Sequence, residues 1–201
     1  MKIGICGGTF NPIHNAHLII SEEAKEFFNL DKVFFIPTGN PPHKKYVDKK
    51  CNIHRLEMVN EAIKNNQNFD VLDIEIKRKG YTYAIDTLRQ IEKLFGDSEI
   101  NYIIGSDVIL DLINWKDYEE VFKICNFITF IRPSDDKKLV IDEIDKLKKD
   151  FNLKVFMFES ILFNISSTII RERVQKGFSI RYLVPDSVLE YICDNNLYIE
   201  S

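Results

Sequence analysis

Residues 2–20, KIGICGGTFNPIHNAHLII, contain a short apolar run, two adjacent glycines and two histidines. The run KIGIC is typical of a buried strand, and the residues from Ala16 onward begin a stripe with helical spacing. Gly7 and Gly8 follow the predicted strand, where the absence of side chains lets a phosphate approach the backbone. Because the next helix points its N-terminal N–H groups at the same place, this stretch predicts an anion-binding strand–loop–helix unit.

The rest of the chain alternates between strand-like runs and helical stripes. The predicted strands read KVFFIP, VLDIEIK, INYIIG, NFITFI and LKVFMF, and the helices between them include HRLEMVNEAIKNN, AIDTLRQIEKLF and VIDEIDKLKKDF. In VLDIEIK, the apolar Leu72, Ile74 and Ile76 alternate with charged residues, which indicates a strand with one face in water. Two more helices are expected near the C-terminus, one from about Thr168 and one from about Pro185.

This alternation of strands and helices predicts the fold class. Strands separated by helices of this length imply right-handed crossovers and a parallel sheet. We therefore predict an α/β fold, a doubly wound, Rossmann-like parallel sheet with helices on both faces. Because ligands of such sheets bind beyond the carboxyl ends of the strands, function is expected in the loops that follow Cys6, Ile36, Ile76, Ile104 and Ile131.

Length and composition restrict the class of protein. The 201 residues predict one domain spanning 1–201, including the C-terminal helices from about residue 168. The formal net charge of −4 argues against non-specific binding to nucleic acid. The four cysteines are scattered and lack C-x-x-C spacing. We therefore expect neither a zinc site nor a disulfide framework. No apolar run approaches the roughly 20 residues of a membrane helix, so we expect a cytoplasmic protein without membrane contact, whether monomer or homo-oligomer.

Two histidines stand at the start of the first predicted helix. His14 and His17 are three residues apart, so both side chains can face one site there. Two imidazoles in that position can donate hydrogen bonds to charge that develops on a phosphoryl group. In the alternative interpretation His14 caps a turn and His17 packs in the core. A zinc pair lacks a third ligand at a suitable spacing.

A second polar cluster lies in ISSTIIRER, residues 165–173. Ser166, Ser167 and Thr168 offer hydroxyls that can cap a helix, and Arg171 follows Ser167 by one helical turn. A helix N-terminus with a guanidinium attached is suited to phosphate. The alternative is that the three hydroxyl residues only cap the helix.

The two clusters together resemble the motifs of a known superfamily. GGTFNPIHNAH is similar to the G-x-F-x-P-x-H-x-G-H signature of the nucleotidylyltransferases, and ISSTIIR is similar to their I-S-x-T-x-x-R motif. Within that superfamily, an ordered series of segments resembles the bacterial nicotinate-nucleotide adenylyltransferase family: NPPHKK, HRLEM, EIKRKGYTYAIDTL, IIGSDVILDLINW and IRP. The resemblance covers nearly the whole chain. It implies transfer of AMP from ATP to nicotinate mononucleotide, with deamido-NAD and pyrophosphate as products.

The resemblance also implies site residues. Transition-state and phosphate contacts would come from His14, His17, Lys44 and Arg171. The ATP site would comprise Gly7, Gly8, Thr9, Phe10, His17, Gly105, Asp107, Ile165, Ser167, Thr168 and Arg171. The nicotinate mononucleotide site would comprise His43, Lys44, Thr82, Tyr83, Ala84, Trp115 and Lys116. Mg²⁺ would arrive with ATP on the phosphate oxygens, and no protein side chain is expected to be a metal ligand.

Some of these residues have competing interpretations or depart from the family pattern. Asp107 is as well suited to capping a helix as to approaching a nucleotide, and Trp115 could pack in the core instead of stacking on a nicotinate ring. Ala16 replaces the glycine of the signature and is expected to add a methyl near the phosphates. Thr82, Tyr83 and Ala84 replace the usual Ser-Tyr-Thr, which removes one hydroxyl from the expected nicotinate pocket.

Other functions remain open at the level of sequence. The acceptor could be nicotinamide mononucleotide or phosphopantetheine, although a phosphopantetheine enzyme would not need the middle motifs. Aminoacyl-tRNA synthetases share an H-x-G-H-like element but need a tRNA-binding body that is absent here. The chain could also be a non-catalytic, ATP-binding regulatory module, against which the presence of His14, His17 and Arg171 argues.

Overall fold

A six-stranded parallel sheet forms the centre of the fold, in a computed structural model that describes residues 1–42, 49–131, 135–160 and 165–199. The strands are β1 (Lys2–Gly8), β2 (Lys32–Pro37), β3 (Phe69–Val71), β4 (Glu99–Gly105), β5 (Asn126–Ile131) and β6 (Val155–Glu159), in the spatial order β3-β2-β1-β4-β5-β6. The helices are α1 (Asn15–Phe28), α2 (Lys49–Ile63), α3 (Ala84–Phe95), α4 (Ser106–Ile109), α5 (Tyr118–Ile124), α6 (Lys137–Phe151), α7 (Ser167–Gln175) and α8 (Asp186–Asp194), with a 3-10 turn at Leu112–Asn114.

Two apolar layers cover the sheet, one on each face. One layer contains buried residues of α1, α2, α7 and α8, such as Ile20, Val59 and Val188. The other layer contains buried residues of α3, α5 and α6, such as Leu88 and Ile144. The predicted α/β class with helices on both faces is therefore confirmed. No helix among the described residues is long and apolar enough to span a membrane.

The prediction of a strand over VLDIEIK is wrong. β3 ends at Val71, and the backbone then turns, with the N–H of Lys77 donating to the carbonyl of Asp73 at 3.0 Å. The expected burial pattern is inverted here, because Glu75 is buried at 8% exposure while Ile76 is only partly buried. Hydrogen bonds from the Gly39 N–H and from the Thr87 hydroxyl on α3 make this burial tolerable for a carboxyl group. The functional loop expected after Ile76 therefore belongs to a longer irregular segment that leads into α3.

The order of the strands reverses between β1 and β4, which are neighbours in the sheet. In doubly wound sheets this reversal opens a crevice at the carboxyl ends of the two strands. β1 continues to Gly8, so the two glycines belong to the strand and not to the loop after it. The crevice therefore begins at the glycines, beside the N-terminus of α1.

Candidate active site

Two cavities lie at the carboxyl ends of the strands and share Gly7. The smaller one, of about 180 Å³, is bounded by the ends of β1 and β4 and by His17, Gly105 and Asp107. The larger one, of about 570 Å³, lies between the loop after β2, the segment before α3 and the residues around Trp115. Because Gly7 borders both, ligands in the two cavities would meet at the end of β1.

The two histidines stack on each other at the start of α1. Their ring centroids are 3.7 Å apart, His14 is 5% exposed and His17 is partly buried. The backbone N–H of His14 donates to Nδ1 of His17 at 3.2 Å. A neutral His17 that accepts at Nδ1 carries its proton on Nε2, so the side chain that borders the smaller cavity is a hydrogen-bond donor. The structure thus brings the two predicted histidines together.

The second motif binds the backbone of the first. Ser167 Oγ donates to the carbonyl of Pro12 at 2.8 Å, and Arg171 Nη1 donates to the carbonyl of Asn11 at 2.7 Å. Arg171 Nη2 also lies 3.3 Å from Thr168 Oγ1. The helix cap is Ser166, whose hydroxyl accepts from a backbone N–H of α7. Ser167, Thr168 and Arg171 are therefore not the cap, and Ser167 and Arg171 contact the signature loop.

The glycines are required by packing as well as by ligand access. A Cβ on Gly7 would lie 2.5 Å from the hydroxyl of Tyr102, and a Cβ on Gly8 would lie 2.8 Å from the ring of Phe10. Neither distance is tolerated, so these side chains occupy the space that a larger residue would need. Close packing is therefore a second reason for glycine at these positions, beside the predicted approach of a phosphate to the backbone.

Phe10 and Ala16 of the signature lie in the core. Phe10 is 1% exposed, and its ring contacts His17 edge-on with centroids 5.0 Å apart. Phe10 thereby supports the imidazole, and only its backbone could face ATP. Ala16 is 4% exposed and belongs to the apolar layer under α1. Its methyl group therefore packs in this layer, and the expectation that it also lies near the phosphates stays a prediction.

The remaining residues predicted for ATP have mixed positions. Asp107 and Gly105 line the smaller cavity. Gly105 is the N-cap of α4 and Asp107 lies one position inside that helix, so Asp107 is not the cap. Thr9 lies in the loop directly after β1, and Ile165 packs against the apolar layer of α1.

The N-terminus of α3 opens into the larger cavity. Thr82, Tyr83 and Ala84 line it, and α3 begins at Ala84 with Tyr83 as the N-cap. The Tyr83 carbonyl accepts from the N–H groups of the third and fourth helical residues, at 3.1 and 3.2 Å. The first N–H groups of a helix have no partner within the helix and suit a carboxylate ligand. Lys116 places Nζ 4.4 Å from the centroid of the Tyr83 ring, which adds positive charge at this mouth.

A buried carboxyl group braces the wall of this cavity. Glu75 Oε1 accepts from the Thr87 hydroxyl at 2.8 Å, and Oε2 accepts from the N–H of Gly39 at 3.2 Å. Arg78 Nη1 donates to the same Thr87 oxygen at 2.9 Å. Burial raises the pKa of Glu75. A Cβ on Gly39 would lie 2.2 Å from the Glu75 carbonyl oxygen, so only glycine fits there.

Trp115 packs in the core with part of its ring and faces the larger cavity with another part. Its ring packs edge-on against Tyr102 and Phe127, with centroids 5.8 and 6.4 Å away, and it also lines the larger cavity. The core contacts fix the orientation of the ring, and the exposed part offers a flat apolar surface to a ligand.

Sequence reasoning missed several residues that build the site. Thr38, Glu75 and Tyr102 line the larger cavity, and Arg55 is completely buried behind the loops. A charged residue within the apolar stripe of HRLEMVNEAIKNN was a usable signal for Arg55, whereas the polar face predicted for VLDIEIK hid Glu75. The predicted residues His43 and Lys44 lie outside the described residues.

Comparison with known proteins places these motifs in a family. The cytidylyltransferase-like family model matches residues 5–173. A Thermoanaerobacter sp. protein is 42% identical over 98% of this chain and 94% of its own length. A Desulfitobacterium hafniense protein is also 42% identical, over 98% of this chain and 95% of its own length. Both are named "Probable nicotinate-nucleotide adenylyltransferase".

A solved structure shares the fold at lower identity. Plasmodium falciparum nicotinic acid mononucleotide adenylyltransferase complexed with NaAD has a TM-score of 0.77 and 21% identity, over 98% of this chain and 97% of that chain. This likeness supports the Rossmann-like sheet, while the family assignment depends on the closer sequence relatives and on the matched model. The chain belongs to the cytidylyltransferase-like family and, within it, to the nicotinate-nucleotide adenylyltransferases.

Proposed function

We propose that this protein transfers the AMP group of ATP to nicotinate mononucleotide, forming deamido-NAD and pyrophosphate in NAD biosynthesis. The observation that carries the proposal is the pair of cavities that share Gly7, one beside His17 and the other at the N-terminus of α3. ATP would bind in the smaller cavity at the strand-order reversal. The mononucleotide would bind in the larger one, with its ring against Trp115.

The proposed chemistry needs alignment and charge neutralisation more than it needs a nucleophilic side chain. A phosphate oxygen of the mononucleotide forms a bond to the α-phosphorus of ATP. The bond from that phosphorus to the oxygen bridging to the β-phosphate breaks, and pyrophosphate leaves with the bonding electron pair. His17 and His14 would stabilise the charge on the α-phosphate, and no covalent protein intermediate forms.

The positions of the other phosphate binders support this arrangement. Ser167 and Arg171 already contact the signature loop, so phosphates bound at that loop would lie within reach of both side chains. Lys44 and His43, which lie in sequence between β2 and α2, are proposed to contact phosphate and mononucleotide. We further propose that residues 1–201 form one domain.

Mg²⁺ enters the proposal as part of the ATP substrate. Within the ranges 1–42, 49–131, 135–160 and 165–199, no three His, Cys, Asp or Glu side chains are placed to hold a metal ion together. In nucleotide sites Mg²⁺ takes its ligands mainly from phosphate oxygens and water. The ion would offset phosphate charge during transfer.

Release of pyrophosphate, measured with several acceptors, tests the proposed function. The purified protein, MgATP and one acceptor at a time should release pyrophosphate fastest with nicotinate mononucleotide. Nicotinamide mononucleotide and phosphopantetheine serve as the competing acceptors. Release with phosphopantetheine alone would assign the chain to a different reaction, and ATP binding without release with any acceptor would indicate a regulatory module.

Arg171→Ala is expected to raise the Michaelis constant for ATP about tenfold and to leave that for the mononucleotide within about threefold. A guanidinium that binds the phosphates of ATP contributes mainly to that substrate, and its bond to the Asn11 carbonyl keeps it at the loop. Arg171→Lys should recover little, since a lysine cannot form the forked contact. Steady-state kinetics with each substrate varied in turn gives both constants.

The outcome that contradicts this assignment is specific. If Arg171→Ala raises only the Michaelis constant for the mononucleotide, while that for ATP stays normal, Arg171 binds the mononucleotide and not ATP. Thermal unfolding of the variant should accompany the kinetics, because Arg171 also ties α7 to the signature loop.

A further inference from the structure

Arg55, on α2, is the largest side chain that is completely buried among the described residues. Its Nη1 donates to the carbonyl of Thr9, and its Nη2 donates to the carbonyl of Thr38 and to Asn52 Oδ1, both at 2.6 Å. These acceptors are two backbone carbonyls and one amide, and none is a carboxylate. A buried cation held in this way is expensive as a stabilising device, so its place in the fold calls for another explanation.

The two carbonyls belong to loops that follow neighbouring strands. Thr9 comes directly after β1, and Thr38 comes directly after β2. The N–H of Thr38 also donates to the carbonyl of Gly8 at 2.8 Å. One planar guanidinium therefore binds both loops. The backbone hydrogen bond from Thr38 to Gly8 is a second link between the same two segments.

The two loops stand in different relations to the cavities. Thr38 lines the larger cavity only. The loop after β1 connects Gly7, which borders both cavities, to α1, which carries His17 of the smaller cavity. The relative position of the loops sets how a ligand in one cavity meets a ligand in the other. Reacting groups that are misplaced by about 1 Å can lose on the order of 100-fold in rate.

We propose that Arg55 is a positioning residue that fixes the loop after β1 relative to the loop after β2, and thereby aligns the two substrates. This inference depends on the proposed adenylyl transfer. Arg55 touches neither cavity, so it acts through the two carbonyls. Each substrate keeps its own binding groups when Arg55 changes, and what is lost is the alignment between them.

The first test is Arg55→Lys, which retains the charge but has a compact ammonium that cannot span two carbonyls. We expect kcat to fall about tenfold or more, while the dissociation constant of each substrate alone stays within about threefold. Mononucleotide binding is measured through the fluorescence of Trp115, the single tryptophan of the chain. ATP binding is measured by calorimetry.

A milder variant and a matched control accompany it. Asn52→Ala leaves Arg55 in place and removes only the amide that holds it, so it should show the same pattern, with kcat reduced severalfold. It also tests the proposal if Arg55→Lys does not fold. Arg173→Lys changes the same residue type on α7, where Nε donates to the Ser179 carbonyl at 2.8 Å. Since Ser179 lies in neither loop, kcat should remain within twofold of the wild type.

The possible outcomes separate the alternatives. Reduced kcat with preserved affinities supports the positioning role. A lower unfolding temperature with normal kcat in the folded protein shows a structural role only, and weakened binding of one substrate with normal kcat assigns Arg55 to that site alone; either result overturns the proposal. Wild-type protein that releases no pyrophosphate overturns the proposed function and this inference together, which distinguishes it from failure of the Arg55 variants alone.

Discussion

His17→Ala is expected to lower kcat about 100-fold or more, while the Michaelis constants change by less than about threefold. The loss of one preorganised donor to a developing oxyanion typically has an effect of this size. A donor that acts mainly in the transition state affects kcat and kcat/KM together and leaves substrate binding largely unchanged. Steady-state kinetics with both substrates near saturation measures the change.

The geometry around His17 gives the reason for this expectation. Nδ1 accepts from the N–H of His14, so Nε2 holds the proton and can donate to a phosphate. Phe10 contacts the ring edge-on, and the stacked ring of His14 covers one of its faces. The donor is therefore held in place before the substrate arrives, and little reorganisation is needed during the reaction.

His54→Ala is the matched control for His17→Ala. Nδ1 of His54 lies 3.0 Å from the Tyr191 hydroxyl, away from the residues that line the two cavities, so its loss should leave kcat within twofold. Because His17 also accepts a bond at the N-terminus of α1, thermal unfolding must show that His17→Ala is folded. A folded His17→Ala protein with near-normal kcat would rule out the proposed role.

Selectivity for the acid is the second large effect. We expect kcat/KM for nicotinate mononucleotide to exceed that for nicotinamide mononucleotide at least about 100-fold. The two rings have nearly the same size, so shape cannot separate them. Discrimination must come from the groups that meet the carboxylate or the amide, and we propose that those groups are the donors at the N-terminus of α3.

The donors are backbone N–H groups, which do not depend on the side chain at position 84. The first helical N–H groups at Ala84 lie beside Trp115 and Lys116, all of which line the larger cavity. A carboxylate accepts from such groups with both oxygens. An amide would turn its NH₂ toward a donor, and both groups would lose a partner. The buried Glu75 holds the Gly39 N–H and keeps this wall in one position.

Kinetics with both mononucleotides measures the selectivity. Ala84→Thr restores the hydroxyl of the usual family pattern, and it should change the ratio no more than about threefold because the backbone donors are the same in both proteins. Comparable kcat/KM values for acid and amide in the wild type would refute this recognition scheme. The protein would then be a dual-specificity or amide-preferring enzyme.

Local periodicity is sufficient for the elements whose burial follows their own pattern. The segment AIDTLRQIEKLF was predicted as a helix, and α3 spans Ala84–Phe95, because Ile85, Leu88 and Ile91 recur at helical spacing and are all buried. The strand prediction for VLDIEIK failed for the opposite reason. Apolar and charged residues do alternate in this segment, but the charged Glu75 is buried. Its carboxyl group accepts hydrogen bonds from Gly39 and Thr87, which belong to other segments.

The amino-acid pattern is sufficient to predict the alternation of strands and helices, the pairing of His14 with His17 and the presence of a second hydroxyl and arginine motif. These features depend on spacings of a few residues, which the chain itself sets. The folded chain alone shows that Arg171 binds the Asn11 carbonyl, 160 residues away in sequence, and that Arg55 binds the Thr9 carbonyl, 46 residues away. Such contacts arise from the order of strands in the sheet, which brings distant loops together at one edge, and no local pattern records which carbonyl a buried guanidinium will meet.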